Sequence, residues 1–393
     1  MSMPVVMIYV QHLLGIGHLM RARLIAEALA DAGSDVHLVS GGMPIGGRMP
    51  RGVRVVQLPP IRVSDASFMP LRDAEYVPID EGYRTARRDL LLATYDAVAP
   101  DAVIFETFPF GRRSLRFELM PLLERIDATR PRPVVVGSVR EILQIQQKPE
   151  REREMLGWAK TWFDAILVHG DPRFARFEET FPLMPELGPP VHYTGFVLTP
   201  GDRLAVGEGG PRPEVVVSAG GGAVGIEHLA MALAAQKESR FGHLTWRVLA
   251  GPNIPEEGMR RLLREAGPAA VVERSRVDFP ALLRQAFVSV SQGGYNTVMD
   301  VVTSGARPVV APFTGSGETE QRARGERLRE FELAVVVNDR TSTPAILAAA
   351  VDAAGTREKW GRWDFDSEGA TRSAAIVADL VAARGGDRAG RTA

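Results

Sequence analysis

Three glycine-bearing segments hold the residues best suited to chemistry. The first reads Gly15-Ile16-Gly17-His18-Leu19-Met20-Arg21. Glycine lets a backbone turn sharply and lets a ligand come close, and a helix opening there offers unpaired N–H groups. A histidine has its ordinary pKa near neutrality, so His18 suits a general base. A plain glycine turn with a helix-capping histidine has the same spacing. The segment is not a dinucleotide fingerprint: Met20 stands where the third glycine would be, and Ser40 and Gly41 end the next strand instead of an acid.

The second segment is Ser218-Ala219-Gly220-Gly221-Gly222-Ala223-Val224-Gly225. Its amides are unobstructed by side chains, which suits a diphosphate. No Gly-Lys-Ser/Thr follows, so it is not a P-loop. The third, Ser291-Gln292-Gly293-Gly294-Tyr295-Asn296-Thr297-Val298-Met299-Asp300, passes from a strand into a helix. There Gly293, Gly294, Asn296 and Thr297 can aim donors at phosphate oxygens along the helix dipole. Asp300, one turn in, can accept from ribose hydroxyls. Downstream, Glu320 and Gln321 have the chemistry for sugar hydroxyls, although a solvated helix start fits them equally. Two more stretches end predicted strands: Glu106-Thr107-Phe108-Pro109-Phe110-Gly111-Arg112-Arg113 and Ser138-Val139-Arg140-Glu141. Glu106 or Glu141 can orient a ligand or assist His18, and Arg112 or Arg140 can hold an anion. Surface salt bridges are the plainer reading of each arginine.

The elements that must position these residues alternate. Short apolar runs at 5–10, 36–39, 53–58, 102–105, 134–137 and 165–168 have strand length, and helical spacing fills 19–32, 81–99 and the stretch around Leu115–Leu123. A second cycle starts at Val215 and runs through strands at 246–249, 270–272, 287–290, 309–311 and 334–337 to a helix over 368–384. Such alternation predicts parallel sheets covered on both faces, where ligands bind at the carboxyl ends of strands. The stretch 199–213, rich in Pro, Gly and charge, reads as a linker.

The chain has 393 residues, long enough for two domains. Lys plus Arg number 47 against 48 Asp plus Glu, a net charge of -1 that favours neither nucleic acid nor an anionic membrane. There is no cysteine, which excludes thiolate nucleophiles and disulfides and fits a cytoplasmic enzyme. No transmembrane segment or signal peptide is expected. His12, His37, His169, His192, His228 and His243 are scattered without metal-ligand spacing, so no metal site is expected. Asp364-Phe365-Asp366 precedes the last helix and reads as a cap.

Residues 286–325 resemble the nucleotide-sugar half of MurG-like glycosyltransferases (family 28 C-terminal domain type), through Ser291 to Asp300, Gly305 to Phe313 and Glu320-Gln321. Ser218 to Gly222 and Gly15 to His18 support the likeness. The resemblance implies an α/β GT-B fold, two Rossmann-like parallel-sheet domains facing each other across a cleft. It implies an acceptor domain over 1–198, a linker over 199–213 and a nucleotide-sugar domain over 214–365. A helix over 366–384 returns to the first domain, and 385–393 form a tail. It further implies metal-independent, inverting transfer from a UDP-sugar co-substrate to a small-molecule or lipid-linked acceptor, with no cofactor. Gly17, Ser218, Gly220, Gly221, Gly222, Gly293, Gly294, Asn296, Thr297, Asp300, Glu320 and Gln321 would meet the nucleotide sugar, with Val277 beside the base. The N-terminal half departs from the cell-wall enzymes: its Gly-x-Gly-His-x-x-Arg resembles the UDP-sugar hydrolase of the pseudaminic acid pathway. Its other motifs are similar to a group of uncharacterised predicted glycosyltransferases. UDP-sugar hydrolysis, UDP-sugar 2-epimerisation and non-catalytic nucleotide-sugar binding are therefore the alternatives on the same fold.

Overall fold

The apolar runs form strands buried on both faces, as a parallel sheet requires. The structure, a computed structural model, describes residues 3–390 except 47–48, 64–68, 200, 202–203, 205, 207–213, 220–224, 252–253, 277, 314 and 339–341. It divides into two units. One comprises Met1–Ser64, Phe68–Leu198 and Phe365–Ala393, the other mainly Thr199–Asp364.

In the first unit the order is β1 Val5–Val10, α1 Gly17–Asp31, β2 Asp35–Ser40, β3 Val53–Gln57, α2 Glu81–Val98 and β4 Ala102–Glu106. Then follow α3 Arg116–Ala128, β5 Val134–Arg140, α4 Pro149–Trp162, β6 Ala165–His169 and β7 Val191–Tyr193. The sheet order is β3-β2-β1-β4-β5-β6-β7, all parallel. The strand order therefore reverses between β1 and β4. At such a reversal neighbouring connections leave on opposite faces and open a crevice at the carboxyl edge.

The second unit holds β8 Glu214–Ser218, α5 Ile226–Gln236, β9 Thr245–Ala250, α6 Glu256–Glu265, β10 Ala270–Arg274, α7 Phe279–Gln285 and β11 Ala286–Ser291. It continues with α8 Tyr295–Val302, β12 Arg307–Val310, α9 Glu320–Glu330, β13 Val335–Val336 and α10 Pro344–Thr356. Its parallel sheet runs β10-β9-β8-β11-β12-β13, reversing between β8 and β11. The last helix, α11 Gly369–Gly390, belongs to the first unit. Its Ala374 and Val377 are buried with Leu19 and Ile25 of α1, and Arg384 donates to Asp164 at 2.6 Å.

Local signals set several ends. Asp80 caps α2 by accepting from the Tyr83 N–H at 2.8 Å, and Thr343 caps α10 through Ile346 at 3.3 Å. Asp366 does not cap the helix N–H groups: its Oδ1 accepts from the Glu368 N–H at 3.0 Å, just before α11, and its carboxylate pairs with Arg372 of α11. Helices α4, α6 and α10 and strand β7 add to the elements the periodicity showed. The expected linker is only partly described, but Leu204 lies within the second unit, donating its N–H to the Thr303 carbonyl at 2.9 Å.

A fully buried polar knot ties β1, α2 and α3. Arg87 Nε donates to Glu118 at 2.5 Å, its Nη1 to the Gly41 carbonyl at 2.8 Å and its Nη2 to Gln11 at 2.6 Å. Tyr9 donates to the same Glu118 carboxylate. Burial and the adjacent Glu118 hold the Tyr9 hydroxyl well above its ordinary pKa. Removing one partner strands a buried charge, so Arg87→Met should cost about 3–5 kcal/mol in urea unfolding. A cost of ~0.5 kcal/mol, the surface-pair value, would contradict this reading.

Candidate active site

The reversal in the first unit brings α1 against the end of β4. His18, in the first turn of α1, lies with Nδ1 3.0 Å from Glu106 Oε1 and 2.9 Å from Thr107 Oγ1. A carboxylate only accepts, so a neutral ring facing it carries its proton on Nδ1 and its lone pair on Nε2. Arg21 lies one turn on, on the same face of α1, and its guanidinium also binds Glu106 Oε1. Glu106 is buried, while His18 keeps 14% of its side chain exposed. Thr107 adopts φ 74, a conformation that costs a β-branched residue about 1–3 kcal/mol and is held only when its surroundings demand it.

Strand β5 extends through Arg140, past the 134–137 expected, and this has a consequence. Side chains alternate along a strand, so Ser138 and Arg140 share a face. Ser138 Oγ donates to Glu106 Oε2 at 2.6 Å and lies 2.8 Å from His169 Nε2. His169 Nδ1 is 2.9 Å from Thr194 Oγ1. Arg140 Nη2 reaches His18 Nε2 at 3.2 Å. The carboxylate is thus fixed from three sides by His18, Arg21 and Ser138. Glu106 is the acid that meets the ring; Glu141 is buried against Gly170. Arg112, at φ 64, donates from Nε to the Gln11 carbonyl at 2.7 Å, not to a surface carboxylate.

Burial and the guanidinium groups of Arg112, Arg140 and Arg21 hold His18 well below its ordinary pKa of 6.5. Burial, with Arg21, lowers His169 to about 3. His12 is lowered to about 4, chiefly by burial. All three rings are neutral at pH 7.

In the second unit the register sets Ser218, ending β8, opposite Ser291, ending β11. Both are buried, and neither hydroxyl has a partner among the described residues. Gly293, at φ 85, turns the chain into α8, whose N-cap is Gly294, with no side chain capping it. The first turn of α8, at Tyr295, Asn296 and Thr297, thus opens without a side-chain cap. Asp300 lies one turn in, its carboxyl pushed up to about 7 by burial. Beyond β12, Glu318 accepts from the N–H groups of Glu320 and Gln321 at 2.7 and 3.1 Å, and burial beside Glu320 raises it to about 7. Glu320 is itself buried and paired with Arg324 at 3.0 Å. Gln321 Oε1 accepts from the Phe313 N–H at 3.1 Å. Gly220, Gly221, Gly222 and Val277 lie outside the described residues.

No protein-family model matches the chain, and no curated protein sequence matches it. Solved structures do. A UDP-glucosyltransferase from Polygonum tinctorium capable of glucosylating indoxyl, in complex with 3,4-dichloroaniline, is similar at 16% identity. The match covers 97% of this chain and 99% of that one, with TM-score 0.61. Arabidopsis thaliana UGT89C1 complexed with UDP is 14% identical over 98% and 100% of the two chains, with TM-score 0.61. Acinetobacter baumannii MurG is 14% identical over 96% and 100%, with TM-score 0.55. The chain has the GT-B fold.

Within this GT-B chain, Gly17 and His18 cluster with Glu106, Arg112 and Arg140 in the first unit. Of the described diphosphate candidates in the second unit, Ser218 ends β8, and Gly293, Gly294, Asn296 and Thr297 follow β11. The cluster also recruits Arg21, Thr107, Ser138 and His169. Arg21 is signalled by its three-residue spacing from His18, and His169 only by ending a buried strand. Among the described residues, no three metal-ligating side chains assemble and no helix is long and apolar enough to cross a membrane.

Because His169 has a folded pKa of about 3 against 6.5, the unfolded chain binds the extra proton. Its contribution to stability is complete above pH 6.5 and is lost as the pH falls toward 3. Urea unfolding across that window should show a shallower fall for His169→Asn than for the native protein. Parallel curves would contradict the buried neutral ring.

Proposed function

We propose that the protein is a glycosyltransferase that moves a sugar from a UDP-sugar to a hydroxyl-bearing acceptor, without a metal and with inversion. The observation that carries this reading is the contact of His18 with Glu106 at the strand-order reversal of a GT-B first unit. The solved relatives lend support to the donor: one is a UDP-glucosyltransferase, and another is complexed with UDP.

In the proposed step the acceptor hydroxyl oxygen attacks the anomeric carbon from the face opposite the diphosphate. A carbon–oxygen bond forms to the acceptor, the bond from that carbon to the diphosphate oxygen breaks, and UDP leaves with the electron pair. His18 Nε2 takes the acceptor proton. Glu106 keeps Nδ1–H oriented and stabilises the imidazolium that results, as a positioned carboxylate does for a histidine base. Arg21 and Ser138 hold Glu106. A base with its pKa well below neutrality is already deprotonated at pH 7.

The leaving diphosphate gains charge, which preorganised amides stabilise without reorganisation. In this reading the opening of α8 supplies them through Gly293, Gly294, Asn296 and Thr297, aided by Ser218 and the segment Gly220 to Gly222, with Val277 near the base. Asp300 would accept from the ribose. Glu320, paired with Arg324, and Gln321, whose Oε1 accepts from the Phe313 N–H, would meet the sugar hydroxyls.

Hydrolysis has one observation in its favour, the Gly-x-Gly-His-x-x-Arg spacing with Arg21 on the acid. His18→Ala should lower turnover roughly a hundredfold or more, with UDP affinity little changed. Asp300→Ala should instead weaken UDP binding about tenfold in calorimetry. Unchanged turnover in the first variant removes His18 from the mechanism. Free sugar released at full rate without an acceptor replaces transfer by hydrolysis.

A further inference from the structure

Helix α9 carries an arginine that is fully buried, and its guanidinium serves two separate segments of the second unit. Arg324 Nη1 donates to the Gly293 carbonyl at 3.2 Å, and Nη2 lies 3.0 Å from Glu320 Oε1. The guanidinium carbon stands 5.5 Å from the centre of the Tyr295 ring. Gly293 and Tyr295 belong to the turn that opens α8, and Glu320 is the first residue of α9. One side chain therefore touches both the turn with the candidate diphosphate ligands and the helix start with the candidate sugar ligands.

The packing around this arginine is close. A side chain at Gly293, which adopts φ 85, would meet Val310 Cγ1 at 2.9 Å and the Gln321 carbonyl at 3.6 Å. The turn thus lies against the first turn of α9. Gln321 Oε1 accepts from the Phe313 N–H at 3.1 Å, and Glu318 accepts from the amides of Glu320 and Gln321. An acid four residues ahead of a base is the favourable order on a helix. Yet taking a guanidinium and a carboxylate out of water is costly, and apolar side chains of similar volume fill such a space without that cost. What the guanidinium adds is geometry: a rigid planar fork that holds two acceptors at one spacing. A lysine, a single point charge on a flexible stem, does not reproduce it.

We propose that Arg324 is a positioning residue for the donor: it joins the turn at Gly293 and Gly294 to the start of α9, so that a nucleoside diphosphate seated at the turn sets Glu320 and Gln321 in place for the sugar. The inference rests on the nucleotide-sugar reading, which assigns the diphosphate to the turn and the sugar hydroxyls to Glu320 and Gln321. The Gly293 carbonyl is the link. Fixing the turn fixes the acceptor of Nη1, and the same planar group carries Glu320. The leaving group and the sugar are then held in one relation, as an oriented displacement at the anomeric carbon requires.

The test is amide hydrogen exchange of the full chain with and without saturating UDP, which carries no sugar. In the native protein UDP should slow exchange both at 293–297 and at 318–324. In Arg324→Met the slowing at 293–297 should remain and that at 318–324 should be lost. Arg324→Lys keeps a charge for Glu320 but no fork, and it should restore the melting temperature without restoring the response at 318–324. Arg324→Met with Glu320→Gln removes both charges and leaves no unpaired ion, so it decides the matter if the single variant does not fold. It should behave as Arg324→Met does. A purely structural arginine would change exchange at 318–324 equally with and without UDP. The proposal is overturned if UDP leaves 318–324 unaffected in the native protein, or slows it to the same degree in the variants, while 293–297 responds. Absence of any response at 293–297 in the native protein overturns the nucleotide-sugar reading itself, and this inference with it.

Discussion

The contact between His18 and Glu106 exists because the first sheet reverses its strand order between β1 and β4. Successive connections there depart to opposite faces, so the ends of the two strands face a crevice and not each other's helices. The histidine arrives from the helix after β1 and the glutamate from the last residue of β4. The remaining polar groups of this edge follow from register. Glu106 pairs with Ser138 across β4 and β5, and Arg140 with His169 across β5 and β6. One topological feature therefore gathers a histidine, a carboxylate and several guanidinium groups.

Those cations determine the chemistry. A histidine beside a carboxylate alone would gain affinity for a proton. Here burial and three guanidinium groups outweigh the carboxylate, and the ring is neutral. The second sheet repeats the reversal between β8 and β11 with a different outcome. Its edge presents serine hydroxyls, glycine backbone and an uncapped helix start, and its acids Asp300 and Glu318 are pushed up to about 7 by burial.

Much of this was legible in the sequence. The alternation of short β-branched runs with helical spacing gave both parallel sheets, because strands covered on two faces must be continuously apolar. The glycine segments marked two of the strand ends, and His18, Glu106, Arg112 and Arg140 lie together in the folded chain. What stayed hidden depended on distance or on partners. His169 is far from His18 in sequence and had no local pattern, and only the pairing of β5 with β6 brings it to Ser138. The ion pair of Glu320 with Arg324, four residues on and buried with it, likewise forms only in the folded helix. The extension of β5 to Arg140 escaped a hydrophobicity pattern because its last residues are polar, satisfied by the site itself.

Under the proposed function, proton chemistry belongs to the first unit and the nucleotide to the second. Hydrogen–deuterium exchange of the full chain with and without UDP tests that division directly. Slowed exchange at amides within 293–302, with little change over 11–21, is the predicted result. Protection over 11–21 with none at 293–302 would contradict it.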